Sequence, residues 1–302
     1  MPYAKILALF ILAAGLCCLA APAIAEIQSM VLYRSDFSQD PGWTTNSPTR
    51  YYWDPDLQMY HFRTEGGTNG YACVPVGYGG DSFSLDYDVI LLSVTNGGAF
   101  RLGITSDEMD ITRGTNVLSI FEYGKYGQLM SLRVIDQNNH LHETSSFYDS
   151  YCKGQPGCDT RYFSENRTYH VTLRYNKELQ NADARIIDKE SGELVWGYYV
   201  DIGQDLFFLS RIAITTKGDY AFGSSAEGYL DNIELVVQRQ VTPMPTPTPT
   251  ETAPAPTTVV TTNPATTTPI PTKSPFPGIL GCSSLVLASV MAWALRCQGR
   301  RP

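Results

Sequence analysis

The chain lacks the short motifs on which most enzyme predictions rest. It contains no Gly-rich phosphate loop, no G-x-S-x-G nucleophile elbow and no Cys-x-x-Cys pair. The first binds phosphate through backbone N–H groups, the second exposes a nucleophilic serine, and the third supports redox or metal chemistry. The sequence therefore does not support a prediction of a nucleotide-dependent enzyme, a serine hydrolase or a dithiol protein.

Basic residues are also scarce. The chain has 22 Lys and Arg against 30 Asp and Glu, and its formal net charge is -8 at pH 7. Several of the basic residues lie at the two ends of the chain, so the segment between the ends is more acidic still. A negative surface repels phosphate backbones and anionic membrane surfaces. We therefore expect no nucleic-acid partner.

The first 25 residues have the build of a secretory signal peptide. Lys5 precedes an apolar run over residues 6–19, and small residues at 23–25 precede a cleavage site after Ala25. The alternative, an uncleaved transmembrane helix, is weaker because so short a run does not cross a hydrocarbon core of about 30 Å. The prediction is an exported chain.

The other end of the chain predicts a stalk and an anchor. Residues 241–275 are rich in Thr and Pro, which favours an extended spacer with many candidate O-glycosylation hydroxyls. Residues 276–295 are apolar, and residues 296–302 carry three arginines. Basic residues directly after an apolar span indicate a transmembrane helix with a cytoplasmic tail. We expect the extracellular domain to be tethered at the cell surface.

The segment 26–240 predicts an all-β domain. Helical periodicity is missing from it, and apolar residues alternate with polar ones between turn signals. The alternating apolar residues are Phe83, Leu85, Tyr87 and Val89; Met130, Leu132 and Val134; and Tyr169, Val171, Leu173 and Tyr175. About a dozen such strands exceed what one open sheet holds, so we expect a two-sheet antiparallel β-sandwich. The last strand, 230–237, should pair beside the first, 30–37.

Three short stretches carry a family resemblance. They are Asp36-Phe37 with Trp43, the run RTYHVTLRY at 167–175, and the closing GYLDNIEL at 228–235. Together they resemble the concanavalin A-like lectin/glucanase family in its laminin-G-like jelly-roll form. The resemblance implies a jelly-roll sandwich and a function among those of lectins and glucanases.

The C-terminal tail resembles archaeosortase-type sorting signals of archaeal surface proteins. In those signals a Thr/Pro stalk leads into a Pro-Gly-Phe motif, a hydrophobic span and terminal arginines. Here the residues are Phe276-Pro277-Gly278, so the motif is permuted. Simple retention of the helix is therefore the alternative to enzymatic removal of the tail.

One stretch resembles a catalytic motif, and it is incomplete. Residues 108–113, EMDITR, resemble the start of the catalytic strand of family 16 glycoside hydrolases. A retaining glycosidase needs two carboxyl groups about 5 Å apart, one as nucleophile and one as acid/base. The second Glu would fall at position 112 or 113, where the chain has Thr112 and Arg113. We predict no enzyme activity and no catalytic residue.

Carboxylates at loop positions suggest calcium as a cofactor, because hard oxygen ligands suit this ion. The first candidate set is Asp36, Asp40 and Asp231, and the second is Asp107, Glu108 and Asp110. Surface carboxylates without a metal are the alternative for both sets. His140 and His142 have a spacing that can chelate a transition metal, but no third ligand is identifiable.

Turn-proximal aromatic residues are the candidate ligand contacts. They are Trp43, Tyr52, Trp53 and Tyr78. Sugar rings stack their C–H faces on aromatic planes, although sandwiches also use Tyr and Trp in their cores. The leading hypothesis is a surface-anchored carbohydrate-binding module, with its aromatic residues at one rim or on a concave sheet. Its partners would be polysaccharides or glycoprotein glycans of the cell envelope or environment.

Two alternatives to this hypothesis stay open. One is a structural cell-envelope protein without a small ligand, and the other is a family 16-like glycoside hydrolase.

Two covalent features are expected from the exported location. Cys152 and Cys158 lie in one Gly/Pro loop and should form a disulfide, which leaves Cys73 as a buried free thiol on a strand. Asn166 opens the sequon Asn-Arg-Thr, which predicts N-glycosylation at an exposed strand entrance.

Overall fold

The computed structural model describes residues 26–147 and 161–241, which contain 15 β-strands and no helix. It follows that no helix of this part of the chain is long and apolar enough to cross a membrane. The predicted signal peptide, stalk and C-terminal anchor, and the predicted disulfide between Cys152 and Cys158, lie outside the described residues.

The strands form two antiparallel sheets, as the alternation predicts. Sheet A has the order β13-β12-β11-β6-β15-β4-β3, and β1 also pairs with β15. Its strands are β1 (Glu26–Ser35), β3 (Tyr51–Asp54), β4 (Met59–Glu65), β6 (Ser82–Val94), β11 (Arg167–Asn176), β12 (Asn181–Asp188), β13 (Leu194–Asp201) and β15 (Ser225–Val241). Sheet B has the order β10-β9-β8-β7-β14-β5-β2. Its strands are β2 (Thr44–Thr45), β5 (Tyr71–Pro75), β7 (Ala99–Thr105), β8 (Asn116–Gly124), β9 (Gly127–Ile135), β10 (Leu141–Ser145) and β14 (Arg211–Thr215).

The first and last strands pair as expected. Met30 lies opposite Val237, and Ser35 lies opposite Ile233. The long strand β15 also pairs with β6 over most of its length and with β4 near its beginning. Strand β15 therefore lies inside sheet A, with neighbours on both sides.

The main core lies between the two sheets. The alternating residues predicted to point inward are buried, among them Leu85, Val171 and Leu132, each with no exposed surface. Burying a side chain of this size contributes about 1.5–3 kcal/mol. The polar partners in β6 and β11 stand on the outer face of sheet A, so the period-2 pattern is realised there in full.

The outer face of sheet B is also covered, which the sequence pattern does not predict. The segment 106–115 between β7 and β8 folds back over the sheet, and the backbone N–H of Ile111 donates to the carbonyl oxygen of Lys217 at 2.9 Å. Ile111 packs on Leu118 and Ile120, and Met109 packs on Cys73 and Ala213. Of the two predicted locations for a ligand, one rim or a concave sheet, the outer face of sheet B is occupied by the chain's own loop.

A buried ion pair holds a second loop against the same sheet. Arg101 Nη1 of β7 lies 2.7 Å from Asp219 Oδ2, and both side chains are 9% exposed. Asp219 belongs to the turn 216–224, and its carbonyl oxygen accepts the N–H of Gly67 at 2.6 Å. This pair fixes the turn to the sandwich.

The loops gather at two opposite ends of the sandwich. The cleft end carries the loops 76–81, 106–115, 136–140 and 202–210, and the far end carries the turns 66–70, 95–98 and 216–224. Strand β6 of sheet A has 13 residues and strand β14 of sheet B has five, and both run between the two ends. The segment 106–115 also reaches the far end, because the N–H of Ile111 donates to the carbonyl oxygen of Lys217. Strand β15 finishes at the cleft end, where Arg239 Nε donates to Asp81 Oδ2 at 2.9 Å.

Candidate functional site

A cleft of about 810 Å³ opens at the cleft end of the sandwich. Its walls come from four loops that are far apart in sequence, and sheet pairing brings them together. The β5–β6 loop supplies Tyr78, the β7–β8 loop supplies Asp107, Glu108 and Arg113, the β9–β10 turn supplies Gln137 and Asn139, and the β13–β14 loop supplies Phe207, Phe208 and Ser210.

Three aromatic residues, Tyr78, Phe207 and Phe208, line the cleft. Phe207 is 46% exposed and Phe208 is 76% exposed, and their ring centroids lie 6.5 Å apart. Phe208 has a φ of 66°, in the left-handed region, which costs a non-glycine residue about 1–3 kcal/mol. Tyr78 packs edge-on against Phe83 and donates its hydroxyl to the carbonyl oxygen of Asp81. A strained, exposed phenylalanine beside a cleft is the type of outlier that accompanies binding sites.

The charged groups that line the cleft are held by hydrogen bonds and ion pairs. Asp107 Oδ1 accepts hydrogen bonds from Ser210 Oγ at 2.7 Å and from Arg211 Nε at 2.9 Å. These two hydrogen bonds hold the pKa of the Asp107 carboxyl below its usual range. Arg113 Nε lies 3.8 Å from Glu108 Oε2 and 3.2 Å from Asp110 Oδ2. The cleft therefore contains both negatively charged hydrogen-bond acceptors and positively charged hydrogen-bond donors.

Asp136 joins two of the cleft walls. Its Oδ1 accepts the backbone N–H groups of Asn138 at 2.8 Å and His140 at 2.9 Å. Gln204 Nε2 donates to its Oδ2, and Gln204 Oε1 in turn accepts from Gln137 Nε2 at 2.9 Å. Burial raises the pKa of Asp136, but the hydrogen bonds from the two backbone N–H groups lower it and prevail. This carboxylate fixes the β9–β10 turn and the 202–210 loop in place.

The two histidines of the β9–β10 hairpin also face Asp136. His140 Nδ1 lies 3.2 Å and His142 Nε2 3.4 Å from Asp136 Oδ2. Across residues 26–147 and 161–241, however, no three His, Cys, Asp or Glu side chains are placed to hold a metal ion. The histidines therefore act as partners of the Asp136 carboxylate in the described arrangement.

The four predicted aromatic contacts lie in different parts of the structure. Of the four, only Tyr78 lines the cleft. Trp43 is 8% exposed, donates Nε1 to Tyr33 Oη at 2.6 Å and packs on Tyr60. Trp53 packs against the core and donates Nε1 to the carbonyl oxygen of Phe37 at 2.8 Å. Trp43 as a ligand contact is a wrong interpretation, because its large apolar ring fills the core although its turn lies at the surface.

Tyr52 lies on the outer face of sheet A, away from the cleft. It is 40% exposed and stacks on His61 with ring centroids 4.5 Å apart. Sequence reasoning missed Phe207 and Phe208, since they follow no period-2 pattern. A run of four large apolar residues outside any strand pattern, between Asp205 and Ser210, was the available signal.

The first predicted calcium set does not form a three-ligand group. Strand pairing brings the end of β1 beside β15, yet each carboxylate turns to its own neighbours. Asp36 Oδ1 accepts from Ser38 Oγ at 2.7 Å, Asp40 Oδ1 from the N–H of Gly42 at 2.9 Å, and Asp231 Oδ2 from Asn232 Nδ2 at 2.7 Å.

The second predicted set, Asp107, Glu108 and Asp110, also separates. Asp107 is bound to Arg211 and Ser210, whereas Asp110 accepts from Thr112 Oγ1 at 2.7 Å. Neither predicted set is thus gathered around one point in the described residues. Calcium remains an untested prediction.

Two predicted covalent positions fall in the described residues. Asn166 is exposed, has a φ of 59° and directly precedes β11. Its glycosylation stays a prediction. Cys73 is a buried free thiol in β5.

A second polar cluster lies on the outer face of sheet A. His170 Nδ1 lies 2.9 Å from Asp88 Oδ1, and Asp86 lies on its other side. Hydrogen bonds to Asp86 and Asp88 raise the pKa of His170 to about 9. Lys189 Nζ and Asn232 Nδ2 bind the second oxygen of Asp88 at 2.7 Å and 3.0 Å. These charges satisfy one another on a flat surface, so the cleft is the better candidate site.

Comparison with known proteins gives structural likenesses only. No family model matches the chain, and no curated protein matches it in sequence. Among solved structures, peanut lectin is similar at 9% identity and a TM-score of 0.45, over 72% of this chain and 100% of the lectin. The Lotus tetragonolobus seed lectin is similar at 8% identity and a TM-score of 0.47, over 71% of this chain and 100% of the lectin. Similarity of this degree does not assign a function.

Proposed function

We propose that this chain is a non-catalytic carbohydrate-binding module that binds a neutral glycan in the cleft. The observation that carries the proposal is that two exposed phenylalanines and preset hydrogen-bonding groups line one cleft of about 810 Å³. Small-molecule sites have volumes of about 300–1,000 Å³ and combine apolar walls with a few oriented polar groups.

The chemistry of the cleft fits a sugar better than an ionic ligand. A sugar ring offers an apolar C–H face for Phe207 and Phe208 and a rim of hydroxyls for polar side chains. Asp107 is oriented by Arg211, so its carboxylate is a fixed acceptor. Arg113 lies beside Glu108 and Asp110. Three carboxylates are paired with two arginines, so the site has no excess positive charge with which to attract a strongly anionic ligand.

We propose no glycoside hydrolase activity for the chain. The positions where a second catalytic Glu would be expected hold Thr112 and Arg113, and both side chains bind Asp110. The wider proposal is a lectin-like, concanavalin A-type module displayed at the cell surface by the predicted signal peptide, stalk and anchor. Its partners would be glycans of the cell envelope or environment.

Removing the two phenylalanines should weaken glycan binding about tenfold, since each stacked ring contributes about 0.5–1.5 kcal/mol. The variant combines Phe207→Ala with Phe208→Gly, because glycine tolerates the φ of 66° at this position. Affinity electrophoresis in gels that contain galactomannan or mixed-linkage β-glucan would measure the change in retardation.

Tyr52→Ala is the matched control, because it removes an exposed ring on the outer face of sheet A. The control should leave retardation unchanged, and both variants should keep the far-UV circular dichroism of the parent. Wild-type migration identical with and without each polysaccharide would refute the proposal, as would equal loss of retardation in both variants.

A further inference from the structure

The far end of the sandwich presents a second pair of aromatic rings. Tyr220 is 77% exposed and Phe222 is 78% exposed, the two highest values for large apolar side chains in the described residues. Both belong to the turn 216–224, which we call the far-end aromatic turn. Large apolar side chains held this far into solvent mark interaction sites when they are grouped.

The far-end aromatic turn is held by a dense set of hydrogen bonds. The N–H of Phe222 donates to the carbonyl oxygen of Tyr220 at 2.9 Å, and the N–H of Ala221 donates to Asp219 Oδ1 at 3.0 Å. The carbonyl oxygen of Ser224 accepts the N–H of Gly66 at 3.1 Å. The buried Arg101–Asp219 pair anchors the turn from below. A site fixed before binding loses little conformational entropy when a ligand arrives.

The neighbours of the two rings are neutral and polar. Phe222 lies over Gly67, where any side chain would collide with its ring, and the exposed residues Thr68 and Asn69 follow. Within the turn, Asp219 is paired with Arg101, and Lys217 Nζ lies over the Tyr71 ring at 5.9 Å.

These surroundings decide between possible occupants. An anionic lipid surface is attracted by clustered basic residues, at about 1 kcal/mol each, and the turn carries a single one, Lys217. Exposed rings beside a hydroxyl and an amide suit a neutral saccharide, which offers a C–H face and hydroxyls together.

We propose that the far-end aromatic turn is a second carbohydrate-binding surface, so that one chain cross-links two polysaccharide strands. The ligand class rests on the function proposed above for the cleft. Strand β14 lies between the two aromatic pairs in the chain, and its five residues span about 17 Å, so each surface has room for its own short oligosaccharide. The two surfaces therefore bind short glycans independently and join long ones.

The test uses the full chain and a far-end variant, Tyr220→Ala with Phe222→Ala, beside the cleft variant, Phe207→Ala with Phe208→Gly. Equilibrium dialysis with a mixed-linkage β-glucan trisaccharide, too short to occupy both surfaces, counts the sites per chain, and light scattering with the parent β-glucan reports cross-linking. The expected result is two sites in the wild type, one in either variant and none in the combined variant. Scattering should rise for the wild type alone.

The possible failures are distinguishable. One wild-type site that only the cleft variant removes would overturn the cross-linking proposal and leave the cleft function standing. One site that only the far-end variant removes would overturn both cross-linking and the cleft assignment. Absence of any wild-type site would overturn both proposals. Counting sites per chain also separates true bivalence from self-association of a protein with one site.

Discussion

Asp219→Ala is expected to lower the free energy of unfolding by about 3–5 kcal/mol, the usual effect of leaving one partner of a buried ion pair uncompensated. Arg101 would keep its charge in a site where both side chains are now 9% exposed. Its Nε already lacks a hydrogen-bond partner, so Asp219 is the principal compensation for the charge. Urea unfolding followed by fluorescence would measure the change.

Two controls separate this effect from a general sensitivity to charge removal. Arg34→Ala breaks the Arg34–Glu234 pair at the surface of sheet A, and exposed pairs contribute little. Adding Arg101→Met to Asp219→Ala removes the buried charge and should recover much of the loss. A double variant as unstable as Asp219→Ala alone would contradict the explanation.

Asp136→Ala should lower the free energy of unfolding by about 3 kcal/mol, because two backbone N–H groups and the Gln204 amide lose a buried acceptor. The same change should weaken glycan retardation, since the β9–β10 turn and the 202–210 loop lose their common anchor. Asp36→Ala is the matched control. Asp36 also accepts hydrogen bonds within a turn, from the N–H and Oγ of Ser38, but at an exposed position.

The effect of Asp136 should depend on pH with a definite sign. Its folded-state pKa lies below the usual carboxyl value, so the unfolded chain takes up the proton first as the pH falls. The stabilisation is therefore present above the ordinary carboxyl pKa and is lost as the pH falls through the lowered one. Asp136→Asn should lose this dependence, so its deficit relative to the wild type should shrink in acid. A deficit that grows in acid would contradict the assignment.

Strands β6 and β11 of sheet A, strand β9 of sheet B and the buried residues of the main core could be predicted from the sequence. Alternation at β6, β9 and β11 reports directly which side chains face the opposite sheet, and the pairing of β1 with β15 follows from closing a sandwich. Such signals are local, or depend on one topological rule. They require no knowledge of where loops go.

The site and the cover of sheet B could not be predicted in this way. Met109 and Ile111 stand among acidic and hydroxyl residues, so the segment reads as a polar loop, and only tertiary contact shows that they pack on the sheet. Trp43 has the same turn-like setting as an exposed ligand contact, yet it lies in the core. The position of a ring in a turn does not determine which way the ring points.

The placement of β15 gives the domain a direction of mechanical strength. A pull on the chain beyond its last residue acts along the strand, which is hydrogen-bonded to β6 on one side and to β1 and β4 on the other. Antiparallel ladder bonds are perpendicular to the strand, so such a force shears many of them at once instead of opening them in turn. A glycan held at the far end would pull in the opposite direction. The hydrogen bonds along the whole of β15 would then carry the force together.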